Sequence, residues 1–228
     1  MLNKLACLIA LILLIVNDLS AQTKILFDAT KAETASNADW VIDADANNLG
    51  WSPGAVVGGG TESNAQRFPT PAQSTVTAAT VETYWKGALS AWGIDCVKKG
   101  FTVESLPYNG RITFGDATNV QDLSQYKVYI VCEPNILFTT AEKTAMLAFV
   151  RAGGGLFMVS DHQTSDRNND GKDSPVIWND FMSNNGSVTN PFGITFDNNN
   201  IGNVNSNVVA ALSANDTLLH GPMGNVTQ

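Results

Sequence analysis

Ser160, Asp161 and His162 stand side by side and carry a hydroxyl, a carboxylate and an imidazole. Acyl- and proton-transfer sites are built from such groups: a nucleophile, an orienting acid and a base that titrates near neutrality. Adjacency in sequence does not assemble them, because neighbours on extended chain point to opposite sides. The competing reading is that Asp161 and His162 cap a turn or brace the loop that follows. His162 is also a candidate metal ligand beside Asp166, although one His among carboxylates is a poor transition-metal set.

That following loop reads DRNNDGKD, with Asp166, Asn168, Asp170 and Asp173 as oxygen donors. A hard cation needs several oxygens converging on it, and alternate positions followed by Gly171 for a sharp turn supply them, as in the first half of an EF-hand loop. Calcium suits this set better than magnesium or a transition metal. The match is incomplete, because the loop's twelfth position is Ile177 rather than a bidentate Glu. The alternative is a solvated Asx-rich turn whose side chains bond their own backbone.

Three further groups are expected at the same edge of the molecule, as ligand-binding positions. Asp28 ends one apolar run, and Cys132 with Glu133 ends another. Cys132 as a nucleophile needs a depressed pKa, which acidic surroundings oppose, so a buried structural thiol is the better reading. His220 either approaches the site or sits in a turn. Trp51 is a candidate sugar-stacking platform, while the other tryptophans are expected in the core.

These groups require strands to hold them. Lys24 to Ala29, Tyr126 to Cys132 and Leu156 to Ser160 are expected as strands, the second a continuous apolar run as in a parallel strand covered on both faces, and Phe101 to Leu106 is expected as a further short strand. Apolar residues at helical spacing predict a helix over Thr80 to Lys98, with Gly100 past its end. Thr139 or Thr140 caps a second helix that stops at Gly153-Gly154-Gly155. A short helix over Val176 to Met182 and a strand over Ile194 to Asp197 are expected beyond Pro175. Asp39 to Asp45 is an extension or short helix, Asn47 to Ser74 a long Gly-rich loop, and Asn109 to Asp122 a polar loop. The order strand, helix, strand, strand, helix, strand predicts an α/β three-layer sandwich with a mainly parallel sheet and right-handed crossovers. Ligand sites in such sheets lie at the strands' carboxyl ends, where Ser160 and its neighbours fall.

Residues 1–21 read as a secretory signal peptide. Lys4 opens it, Leu5 to Val16 is too short to span a bilayer, and Leu19-Ser20-Ala21 is a cleavage site. Cys7 precedes most of the apolar run, which argues against lipidation. The mature chain is then expected to start near Gln22, secreted or periplasmic and without membrane insertion, as a single domain over 22–228. Roughly 207 of the 228 residues remain, enough for a sizeable core. A net charge of −8 argues against nucleic acid and anionic membranes as partners and suits cation binding. Cys96 and Cys132 either pair or stand as separate buried thiols. The ending at Asn225 to Gln228 reads as a fragment of a longer chain.

The stretch KVYIVCEPN, FTTAEKTAMLAFVRAGGG, LFMVSDH resembles the class I glutamine amidotransferase-like superfamily, including its trehalose-utilisation-type and peptidase-like branches. The resemblance covers roughly Lys24 to Asp173. It implies a flavodoxin-like sandwich with Val159 to His162 entering the position of the nucleophile elbow. Where amidotransferases place the nucleophilic Cys, this chain has Ser160 or Asp161, and the Gly-x-Cys-x-Gly context is absent. His162 falls where several non-amidotransferase branches also place a His. Glutaminase activity is therefore not expected. Two functions follow: a module binding a small molecule, glycan or protein at the strand ends, or a hydrolase using Ser160 or Asp161 with His162, with or without a metal.

Overall fold

Four short segments pair into one sheet. In the computed structural model they are β1 (Lys24–Asp28), β2 (Thr102–Leu106), β3 (Val128–Cys132) and β4 (Gly155–Val159). The structure describes residues 23–31, 40–43, 73–85, 87–107, 109–164, 166, 169–199, 220–221 and 224–225. The proposed signal peptide, Cys7, Trp51, Asn168 and most of the Gly-rich loop lie outside the described residues. The chain divides into two units, residues 1–198 and 199–228. In the second, β5 (His220–Gly221) and β6 (Gly224–Asn225) form a two-residue antiparallel ladder.

The sheet is wholly parallel, in the order β2-β1-β3-β4. Side-chain alternation divides its residues between two cores. Leu26, Leu106, Tyr129 and Val131 face one side, with α2 (Thr140–Arg151) and α3 (Ser174–Ser183) over them. Ile25, Phe27, Val103, Ile130 and Cys132 face the other, under α1 (Ser90–Lys98). This is the expected α/β three-layer sandwich.

Local chemistry explains α2. Thr139 caps it by accepting the Glu142 N–H, and Glu142 reaches back to the Thr139 N–H at 2.7 Å, a complete capping box. Gly153, at φ +92°, takes the left-handed turn past its last residue. α3 begins at Ser174, with Pro175 in its first turn, earlier than the sequence pattern suggests.

Two expectations fail. The helix expected from Thr80 starts only at Ser90. Gly87 and Leu89 instead donate to the carbonyls of Ile42 and Val41, at 3.3 and 2.9 Å, so tertiary pairing holds this backbone out of the helix. Trp85 is buried there all the same. The strand expected over Ile194 to Asp197 has no ladder. The Asn179 carboxamide holds this segment, donating to the Phe196 carbonyl (2.8 Å) and accepting its N–H (2.9 Å). Phe196 stacks on Trp178. A side chain has taken the place of a neighbouring strand.

Candidate functional site

The carboxyl ends of β1, β3 and β4 lie next to one another, since Phe27 is in register with Ile130 and Cys132 with Val159. The predicted residues sit on these ends and the loops that leave them.

Asp28 is buried on the α2 side of the sheet. Its Oδ1 accepts from the Tyr129 hydroxyl at 2.7 Å and the Thr30 hydroxyl at 2.8 Å, and its Oδ2 accepts the Lys31 N–H at 2.8 Å. Burial pushes its pKa above the ordinary carboxylate value; the hydrogen bonds and the Lys31 charge oppose that shift without cancelling it. Lys31 in turn pairs with Glu142 at 3.1 Å, and its carbonyl accepts the Asn135 N–H at 2.8 Å. The loop after β1 is thereby stitched to the start of α2.

Cys132 points the other way, into the core under α1. Burial, followed by the charges of Glu133 and Asp28, pushes its thiol up to about 12. It is a structural thiol and not an activated nucleophile. Cys96 is also a free, buried thiol, so the two do not form a disulfide. Glu133 is buried and turns the chain at φ +46°, with its N–H on the Val159 carbonyl at 3.1 Å. A non-glycine residue held there stores on the order of 1–3 kcal/mol of strain. The strained corner therefore follows β3, whereas Ser160, Asp161 and His162 have ordinary backbone.

Ser160, Asp161 and His162 do not assemble into a triad. The Ser160 hydroxyl meets the Ser174 hydroxyl at 3.1 Å and the Asp161 carbonyl at 3.3 Å, and Ser174 Oγ also accepts the Asp161 N–H at 3.0 Å. Asp161 Oδ1 lies 2.7 Å from His162 Nδ1 and also accepts the His162 N–H. Nδ1 is thus oriented by a carboxylate, and the His162 side chain is 44% exposed. This carboxylate-oriented imidazole is an arrangement suited to accepting or donating a proton.

The acidic loop is fastened to the start of α3. Thr164, at φ +78°, donates its N–H to Asp173 Oδ2 at 2.7 Å. Asp173 precedes α3, and its Oδ1 is buried without a hydrogen-bond partner. Asp166 accepts the N–H groups of Asp170 (3.3 Å) and Gly171 (2.6 Å), and Asp170 accepts that of Lys172 at 2.9 Å. The Asp170–Lys172 bond closes an Asx-turn, and the two Asp166 bonds reach four and five residues along the loop. Among the described residues, no three His, Cys, Asp or Glu side chains stand together as a metal-holding group.

The sequence reading missed Ser174, which anchors Ser160 and Asp161, and the Tyr129–Thr30 pair that holds Asp28. Tyr129 carried a signal, because it places a hydroxyl in an otherwise aliphatic strand. Nothing in the spacing marked Ser174. Compared with models of protein families, with curated proteins and with solved structures, the chain matches none.

Proposed function

We propose that this chain is a secreted or periplasmic amidotransferase-like module that binds a small molecule, glycan or protein at the carboxyl ends of β1, β3 and β4, without glutaminase activity. The observation that carries this reading is that two of the three candidate nucleophiles, Cys132 and Ser160, are already engaged by the fold. The Cys132 thiol faces the core under α1, and the Ser160 hydroxyl is engaged by Ser174. The exposed His162 imidazole, held by Asp161, is left as the group that meets a ligand.

The second reading is a hydrolase using Ser160 or Asp161 with His162, with or without a metal; the 2.7 Å Asp161–His162 contact favours it. Assaying the full chain for glutaminase and broad hydrolase activity, beside His162→Ala, separates the two. The expected result is no turnover above background. Turnover that disappears in His162→Ala would establish the hydrolase instead.

The proposal includes a calcium ion on the loop, held by Asp166, Asn168, Asp170 and Asp173. The alternation of oxygen donors supports it, as does the buried, unpartnered Asp173 Oδ1. Asp166 already accepts two backbone N–H groups, so an ion must share its oxygens and is expected to bind weakly, with Kd about 10⁻⁴ to 10⁻³ M.

A further inference from the structure

α3 grips the chain just before His162 at two points. Ser174 and Trp178 lie four residues apart, on one face of the helix. Trp178 is fully buried, and its indole N–H donates to the Val159 carbonyl at 2.9 Å. One turn earlier, the buried Ser174 Oγ accepts the Asp161 N–H at 3.0 Å.

The direction of the hydroxyl bonds follows by elimination. Among the described residues, the acceptor within reach of the Ser174 hydroxyl is Ser160 Oγ, at 3.1 Å. Being buried, Ser174 donates there. The Ser160 hydroxyl then gives its own proton to the Asp161 carbonyl at 3.3 Å. The bonds form a closed circuit, from the Asp161 N–H to Ser174, from Ser174 to Ser160, and from Ser160 back to the Asp161 C=O. Both backbone polar groups of Asp161 are thereby held, and the Ser160 proton is committed to a carbonyl and not to His162. The Asp161 carboxylate meets the imidazole, with Oδ1 2.7 Å from Nδ1. A carboxylate there is an acceptor, so in the neutral imidazole the proton sits on Nδ1 and Nε2 carries the lone pair.

We propose that Ser174 and Ser160 are positioning residues of the ligand site: by fixing Asp161 they hold neutral His162 as the Nδ1–H tautomer, so that Nε2 accepts a hydrogen bond from the ligand. The proposal rests on the reading of His162 as the ligand-facing group. It restricts the ligand to one that presents a donor to this imidazole, a hydroxyl or an ammonium. A carboxylate would set acceptor against acceptor. The buried Asp28 and Glu133 at the neighbouring strand ends disfavour an anion as well, since like charges brought together across a binding site repel.

Nitrogen NMR of the full chain, isotopically labelled at histidine, tests this. The chain has two histidines, and His162→Ala assigns their signals. At about pH 8.5, where an ordinary imidazole is neutral, the parent is expected to show a protonated Nδ1 and a bare Nε2 at His162. Ser174→Ala is expected to shift the population toward Nε2–H, the form that free histidine favours. A role confined to holding the helix would leave the tautomer unmoved. Far-UV circular dichroism unchanged from the parent shows that a variant is folded. If Ser174→Ala misfolds, Ser160→Ala, which opens the same circuit, is expected to give the same shift in smaller degree and decides alone. A parent with its proton on Nε2 would overturn the proposal, and so would a parent-like tautomer in the folded variant. Turnover in the hydrolase assay would overturn the binding reading and leave the tautomer standing, so the two fail separately.

Discussion

Asp122 shows how a single residue can hold a loop without any secondary structure. Its carboxylate accepts from the Thr113 hydroxyl (2.7 Å) and from the N–H groups of Gly115 (2.9 Å), Asp116 (2.9 Å) and Ser124 (3.0 Å). Burial alone would raise its pKa, but these donors outweigh burial and hold it well below the usual carboxylate range. A folded-state pKa below the unfolded one stabilises the fold above the unfolded value of about 3.9, and that contribution is lost as pH falls toward the folded value. Asp122→Ala is therefore expected to lower unfolding free energy by about 2–4 kcal/mol at neutral pH, measured by urea titration. The deficit should shrink below about pH 3, as the parent's own carboxylate protonates. A deficit that stays constant with pH would mean that Asp122 acts through packing and not through charge. Asp28 has the opposite sign. Its raised pKa means that stability from this site is greatest below the unfolded pKa and declines as pH rises through the folded value. The sequence showed Asp28 as a polar residue ending an apolar run, but its partners come from β3 and the next turn. Only the fold could set the direction of its shift.

Among the elements, α1 shows packing overriding helix propensity. Its sequence, SAWGIDCVK, carries Gly93 within the helix, where Ala would ordinarily add about 1 kcal/mol of stability. A Cβ on Gly93 would sit 2.8 Å from the Trp85 ring and 2.9 Å from the Ile42 side chain. Trp85 and Ile42 are both buried, which leaves them little room to move. Gly93→Ala is accordingly expected to destabilise the fold by about 1–3 kcal/mol, read as a fall in Tm. A rise in Tm would show that the Trp85 ring relaxes freely. The late start of α1 has the same origin. Val81, Tyr84 and Trp85 lie at helical spacing, yet residues 87–89 pair with the buried segment 41–42. Periodicity correctly marked Trp85 as a core residue and misjudged the backbone that carries it. By contrast, α2 was legible, since its capping box and terminal glycines are local signals that tertiary contacts did not contradict.

Over the whole molecule, the net charge of −8 bears on the calcium proposal. A divalent ion held as proposed on the Asp166–Asp173 loop would bind only the folded form and so stabilise it by mass action. Thermal unfolding in roughly 10 mM calcium, against chelator, is expected to show a Tm a few degrees higher at the affinity given above. An unmoved Tm, or an equal rise in Asp166→Ala/Asp170→Ala, would leave the loop held by its own side-chain-to-backbone bonds without the ion. What the sequence determined by itself was the architecture. Three apolar runs, a fourth short strand, one strong capping box and the glycines after α2 specify a parallel α/β sheet, because hydrophobic periodicity and turn chemistry are local properties. It also located the carboxyl-end residues Asp28, Glu133, Ser160, Asp161 and His162, since a strand's end can be read from where its apolar run stops. Which of these residues meet was decided by the tertiary structure alone. Parity set Cys132 and Asp28 on opposite faces of the sheet, Ser174 reached Ser160 across the loop, and the Gln73 carboxamide paired with the Val103 backbone at the β2 edge. Each of these depends on a partner distant in sequence, whose approach is set by register and packing and not by any spacing along the chain.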